Sequence, residues 1–226
     1  MTYDERVTAA AVVFDYGGVL TSPVRNSIAA WLKRDGIDPA SFSRTLKAWM
    51  SRSAPEGTPI HRLEIGELTA AQFDALLAAE LVATDGGPVA PDGLLQALFA
   101  EMRPDPLMFD LVEKLKSAGV RVALLSNSWG NTYPREQIDA LFDPVVISGE
   151  VGMRKPNPEI FAHTLKLLGV KPGEVVFIDD AVANIEGARW AGLRTVLHID
   201  IQTTKSQLAR HVAGLNTPTP QLEETP

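Results

Sequence analysis

The sequence predicts an α/β fold, a Rossmann-like parallel sheet core carrying an inserted α-helical domain, and three observations predict it. The apolar run Ala10-Ala11-Val12-Val13-Phe14 closes on Asp15 and then on Gly17-Gly18, the pattern of a buried strand that delivers its last residue into a loop. Between Thr21 and Arg103 no strand pattern occurs, and amphipathic helices follow one another. From Asp105 onward helical and strand patterns alternate, as crossovers between parallel strands require.

The first inserted helix carries Ile28, Trp31 and Leu32 on one face and stops near Gly36. Asp38, a cap, and Pro39, suited to a first turn, open a second with Phe42, Leu46, Trp49 and Met50 at helical spacing. The stretch from Ser53 to Pro59 breaks that pattern, and Thr69 with Gln72 forms a capping box ahead of Phe73, Leu76, Leu77 and Leu81. Pro91 begins another helix with Leu94, Leu95, Leu98, Phe99 and Met102. Asp105-Pro106 then caps a helix striped by Leu107, Leu111, Val112 and Leu115 that ends at Gly119. Strands are predicted at Val120 to Leu125, Val145 to Ser148, Glu174 to Ile178 and Thr195 to Ile199, separated by helices at Pro134 to Phe142, from Pro158 to Gly169 and at Ile185 to Trp190. A last helix is expected near Ser206 to Ala213. The domain boundaries that follow are 1–20 and 104–216 for the core, 21–103 for the helical insertion, and a polar, proline-containing tail at 217–226 expected to be disordered.

At 226 residues, with 45% hydrophobic and 22% charged residues, the chain can bury a real core. A net charge of -7 and the lack of any basic block oppose general affinity for nucleic acid or an anionic membrane. Zero cysteines exclude disulfides, thiolate metal sites and a cysteine nucleophile. The amino terminus has neither the basic start nor the apolar segment of a signal peptide, so a cytoplasmic setting is expected.

Three strands end in polar residues: Asp15, Ser126-Asn127 and Asp179-Asp180. Parallel strands point the same way, so these ends gather along one edge, where open α/β sheets bind ligands. Ser126-Asn127 alone is ordinary turn chemistry, and Lys155 alone is an ordinary surface charge. The acidic pair is different. Adjacent carboxylates repel and are tolerated where a cation or a water-filled cleft screens them, and carboxylates with a backbone carbonyl are the oxygen ligands Mg²⁺ prefers. Lys155 itself stands in Met153-Arg154-Lys155-Pro156-Asn157-Pro158, a loop stiffened by its prolines.

In order and spacing these stretches resemble the haloacid dehalogenase-like (HAD) superfamily of phosphohydrolases. Phe14-Asp15-Tyr16-Gly17-Gly18-Val19-Leu20 is similar to its first motif, Leu124-Leu125-Ser126-Asn127 to its second, Arg154-Lys155-Pro156-Asn157-Pro158 to its third, and Phe177-Ile178-Asp179-Asp180 with Asn184-Ile185-Glu186-Gly187-Ala188 to its fourth. The insertion is similar to the small helical cap domain of the subgroup whose cap follows the first motif. Within it, the Gly-Gly and Asp-Asp motifs resemble the phosphatase domains related to the amino-terminal half of soluble epoxide hydrolase, and certain sugar-phosphate phosphatases.

The resemblance implies a Mg²⁺-dependent phosphatase that hydrolyses a small phosphorylated metabolite through an aspartyl-phosphate. It implies Asp15 as the nucleophile and Mg²⁺ held by Asp15, the Gly17 carbonyl and Asp180. Asp179 would act behind the metal or through a water, a choice between the two aspartates made on motif register. The Ser126 hydroxyl and the Asn127 amide would grip phosphoryl oxygens, and Lys155 would supply fixed positive charge. One position departs from the family: Gly17 stands where its phosphatases usually carry a second aspartate, a general acid-base group of a kind worth about 10²- to 10⁴-fold. The alternatives are a haloacid dehalogenase using Asp15 on carbon without metal, and a catalytically silent binding or regulatory relative. His61, in the insertion, is one candidate to supply a proton, and Trp129, Asn131 and Tyr133 are candidates for the substrate entrance.

Overall fold

A computed structural model of the chain describes residues 9–51, 54–130 and 133–212. The described residues begin with β1 (Ala11–Phe14) and enter the helices α1 (Val24–Arg34), α2 (Pro39–Met50), α3 (Pro59–Glu64), α4 (Ala70–Glu80) and α5 (Leu94–Phe99). The chain returns through α6 (Pro106–Ser117), β2 (Arg121–Ser126), α7 (Arg135–Leu141), β3 (Val145–Ile147), α8 (Ser148–Val151) and α9 (Pro158–Leu168). It continues with β4 (Val175–Asp179), α10 (Val182–Trp190), β5 (Arg194–Leu197) and α11 (Ile201–Leu208). Among the described residues no helix is long and apolar enough to cross a membrane.

The five strands among the described residues pair in parallel, in the order β3-β2-β1-β4-β5. β1 is central, with Phe14 level with Leu124 of β2 on one side and Ile178 of β4 on the other. Its four residues are buried because helices cover both sheet faces, which is why it reads as a continuous apolar run rather than an alternating one. Alternation still sorts the side chains. Val12 and Phe14 join Met108, Leu111, Val112 and Leu115 of α6 and Ile138 of α7, whereas Ala11 and Val13 join Ile160 and Phe161 of α9 and Ile185 and Ala188 of α10. The chain winds from β1 outward through β2 to β3, then crosses back to β4 and β5. The reversal lies between β1 and its neighbours, so the crevice expected of such a switch point opens at the ends of β1 and β4.

The inserted helices have a core of their own, built on Trp31, Phe42, Ile60, Phe73, Leu77 and Leu98. The two connections to the sheet run side by side: Thr21 bridges Pro104, the Ser22 N–H donates to the Arg103 carbonyl at 2.7 Å, and the Asp105 N–H donates to the Leu20 carbonyl at 2.9 Å. Asp38 caps α2 by accepting from the N–H groups of Ala40 and Ser41, and the Thr69–Gln72 capping box is formed as the spacing predicts.

Several boundaries differ from the sequence reading. The stretch ending at Pro59 does not only break a helix: Thr58 accepts from the His61 N–H and Pro59 opens α3. Helix α5 begins after Gly93 rather than at Pro91 and ends before Met102. The third strand gives way at Ser148 to the single turn of α8, and α10 starts at Val182, before Ile185. The last helix is Ile201–Leu208, because Asp200 caps it by accepting from the Thr203 N–H; Ala213 and the tail at 217–226 lie outside the described residues.

Candidate active site

Lys155 organises the site. Its ammonium is 1% exposed and donates to Asp15 Oδ1 at 2.7 Å, to Asp179 Oδ2 at 2.7 Å and to the Leu125 carbonyl at 2.9 Å. Three donors thus meet three acceptors supplied by the ends of β1, β2 and β4, which only the parallel register of these strands brings together. Burial pulls the ammonium down, but Asp15 and Asp179 more than offset it and hold Lys155 above its ordinary value. For Asp15 burial wins: it pushes the carboxyl up to about 7 against the pull of Lys155, with Asp179 adding to the rise.

The two aspartates of the acidic pair are divided by their surroundings. Asp179 is fully buried, and besides Lys155 it accepts from the Ala181 N–H at 2.8 Å and from the Asn184 amide at 3.1 and 3.0 Å. Asp180 opens into a cavity, yet partial burial, with Asp179 beside it, pushes its carboxyl up to about 6. Oxygen atoms of Asp15, Asp179 and Asp180 lie within 4.8 Å of one another. Hard carboxylate oxygens gathered at that spacing, two of them facing the cavity, fit a hard divalent cation such as Mg²⁺. Gly18 makes the approach possible: its φ is +82°, and a Cβ there would lie 2.4 Å from Asp180 Oδ2. At Gly17 a Cβ would make only an ordinary 3.5 Å contact with Val24.

Ser126 ends β2 with its hydroxyl 3.0 Å from the Tyr133 hydroxyl. Asn127 lines the same cavity, and its side-chain amide donates to the Lys155 carbonyl at 3.0 Å and accepts from the Lys155 N–H at 2.8 Å, so it also clasps the lysine's own peptide groups. Tyr133 is buried beneath Ser126 and packs on Tyr16 at 5.1 Å between ring centroids, which removes it from the entrance; Asn131 lies outside the described residues.

Above these groups lies a cavity of about 530 Å³ between the sheet edge and the inserted helices. Its floor holds Asp15, Gly17, Ser126, Lys155 and Asp180; its walls hold Val24, Ile28, Leu46, Met50, Phe99, Met102 and Trp129. His61 lines it too, its imidazole held below the ordinary value by burial and by Arg154. One further residue emerges that no pattern singled out: Glu64, on the last turn of α3, is 3% exposed and paired with Arg154 at 2.5 Å. Asn184, from the stretch resembling the fourth motif, supports Asp179 from α10.

A family model described as haloacid dehalogenase-like hydrolase matches residues 9–192. Among curated proteins, the chain is 27% identical to bifunctional epoxide hydrolase 2 of Sus scrofa over 96% of the chain and 40% of that protein, so it spans about two fifths of that relative's length. It is 28% identical to the phosphatase MT3486 of Mycobacterium tuberculosis, over 92% of the chain and 96% of the relative. Among solved structures, a predicted HAD-like family hydrolase from Porphyromonas gingivalis superposes with a TM-score of 0.61 at 25% identity, covering 84% of this chain and 90% of its own. A HAD family enzyme from Bacteroides thetaiotaomicron, solved with magnesium and inorganic phosphate, shares the fold with a TM-score of 0.61 at 24% identity, covering 83% and 93%.

Proposed function

The chain belongs to the haloacid dehalogenase-like hydrolases, and from that premise we propose that it is a Mg²⁺-dependent phosphatase of a small phosphorylated metabolite. The observation that supports this best is the shared ammonium of Lys155, held between Asp15 and Asp179 with Asp180 across the same crevice. Residues 1–20 and 104–216 act as the catalytic core and 21–103 as the cap. Asp15 is the nucleophile because its carboxylate both meets Lys155 and faces the cavity, while every other feature of Asp179 ties it down. A carboxylate oxygen of Asp15 forms a bond to phosphorus as the bond to the leaving oxygen breaks, and that oxygen takes up a proton. Water then attacks phosphorus, the bond to Asp15 breaks, and carboxylate and phosphate are restored, so one hard displacement becomes two. Asp15, Asp180 and the Gly17 carbonyl would hold Mg²⁺, which would supply the charge that lets a carboxylate approach an anionic ester. Ser126 and Lys155 bind the phosphoryl oxygens, and Asn127 holds the lysine loop in place. Cap walls dominated by Val24, Ile28, Leu46, Met50, Phe99 and Met102 favour a leaving group with an apolar portion.

Metal removal tests the proposal. Excess EDTA is expected to abolish phosphate release from an aryl phosphate, and Mg²⁺ to restore it; full turnover in EDTA would favour displacement on carbon by Asp15 instead. Ligand carboxylates must lose their protons, so with Asp15 at about 7 and Asp180 at about 6, Mg²⁺ affinity should climb between about pH 5 and pH 8. Calorimetric titration across that range checks this, and a pH-independent affinity would exclude these two residues as ligands.

Gly17 provides a separate test. With no carboxylate there, leaving-group protonation relies on water or on His61, and turnover should fall steeply from aryl to alkyl phosphates. The backbone at Gly17 accepts a Cβ with only an ordinary 3.5 Å contact to Val24, and Gly17→Asp should raise alkyl phosphate turnover by roughly 10-fold or more. A wild type with no dependence on leaving-group pKa would mean that another residue already donates the proton, and His61→Asn would then identify it.

A further inference from the structure

Glu64 belongs to no motif, yet every acceptor it owns is taken. Its Oε1 accepts from the Trp129 indole N–H at 2.8 Å, its Oε2 from Arg154 Nε–H at 2.5 Å, and its backbone carbonyl from the Ser148 hydroxyl at 2.5 Å. The Ser148 hydroxyl in turn accepts from the Ser128 N–H at 2.8 Å. The three partners stand on three separate stretches of the core: Trp129 in the loop after β2, Ser148 at the start of α8, and Arg154 next to Lys155. Beside this contact the two parts of the chain nearly touch, since a Cβ on Gly66 would lie 2.6 Å from the Gly149 carbonyl oxygen.

Burying a carboxylate costs several kcal/mol of desolvation, offset only where good partners meet its lone pairs, and an apolar side chain of similar volume would pack as well or better. The carboxylate adds geometry instead. It fixes Trp129 against Arg154, and therefore fixes the two loops that carry Ser126 and Lys155 against each other. The path from Glu64 to the chemistry is short: Arg154 precedes Lys155, whose peptide groups are clasped by Asn127, and Asn127 follows Ser126.

Resting on the phosphatase reading above, we propose that Glu64 is a positioning residue: by seating α3 on these loops it aligns Ser126 and Lys155 for the phosphoryl group, so that docking of the inserted helices completes the site. The test compares wild type, Glu64→Gln and Glu64→Leu, which offer two, one and no side-chain acceptors, at a temperature well below their melts. On an aryl phosphate, kcat should fall about 10-fold in Glu64→Gln and about 100-fold in Glu64→Leu, with KM changing by less than roughly 3-fold. Affinity for orthovanadate, titrated calorimetrically with Mg²⁺ present, should weaken in the same order, while affinity for Mg²⁺ alone stays at the wild-type value. Variants that lose thermal stability but keep wild-type kcat and vanadate affinity would reduce Glu64 to a packing residue and overturn the proposal. Should Glu64→Leu fail to fold, Glu64→Gln decides alone. A wild type that binds vanadate without hydrolysing any phosphate ester would overturn the phosphatase reading, and the vanadate affinities of the variants would still decide the role of Glu64. A wild type that neither hydrolyses nor binds removes both.

Discussion

A chain carrying Asp15→Asn is expected to fold and to release no measurable phosphate. The carboxamide oxygen still accepts from Lys155, whose ammonium keeps Asp179 and the Leu125 carbonyl as partners, so no buried group loses its last contact. What disappears is the anionic oxygen that attacks phosphorus, and removing a nucleophile costs on the order of 10⁴-fold or more in kcat. Melting curves of variant and wild type, run beside a phosphate-release assay, separate the two effects. Beryllofluoride bound to the wild-type protein should place its adduct on Asp15. An adduct on Asp180 or Asp179 would assign the attack to the wrong strand end, and for Asp179 it would have to displace contacts from Lys155, Ala181 and Asn184.

The sheet and the site floor were legible in the sequence for the same reason. A strand buried on both faces writes itself as an apolar run, and the parallel order forces the ends of such runs onto one edge, so Asp15, Ser126 and Asp179 had to be neighbours. Lys155 could be tied to them only through resemblance. Nothing local distinguishes a lysine that spans to three strand ends from one in solvent. The aspartate pair could be ordered by motif register, but the physical difference, one carboxylate saturated with donors and the other open to the cavity, exists only in three dimensions.

What stayed hidden was long-range. Pro59 reads as a breaker when it follows a Gly- and Pro-containing stretch, although Thr58-Pro59 is equally a cap and a first turn; the choice was made by Ile60 and Leu63 packing into the insertion's own core. Helix α10 begins at Val182, outside the apolar stripe, because the turn after Asp179 is closed by the Asp179 carboxylate itself. The clasp of Asn127 on the Lys155 peptide groups joins residues 28 apart, which no local pattern records. Glu64 meets partners 65 and 90 residues further along, and no periodicity records such a contact.

Lys155→Met is expected to remove turnover and to extend the pH dependence of stability to higher pH. Methionine fills much of the volume, but Asp15 and Asp179 then face each other at the strand ends without the cation between them. Removing one partner of a buried ion pair costs about 3 to 5 kcal/mol, because the remaining charge is left uncompensated. Asp15 relieves that cost by keeping its proton. Burial already holds it at about 7 with the lysine pulling the other way, and without that pull it moves higher. A carboxyl whose folded pKa is raised above its unfolded value gives its full stability below the unfolded pKa and loses it as the pH rises through the folded one. The deficit of Lys155→Met against wild type should therefore be smallest near pH 5, where Asp15 is protonated in both, and widen as the pH rises past about 7, where Asp15 ionises in the wild type and keeps its proton in the variant. Urea denaturation of the two proteins in EDTA at both pH values measures it. A deficit that stays constant, or that narrows toward pH 8, would mean that Lys155 does not sustain the charge on Asp15, and the nucleophile's activation would have to be sought in another residue.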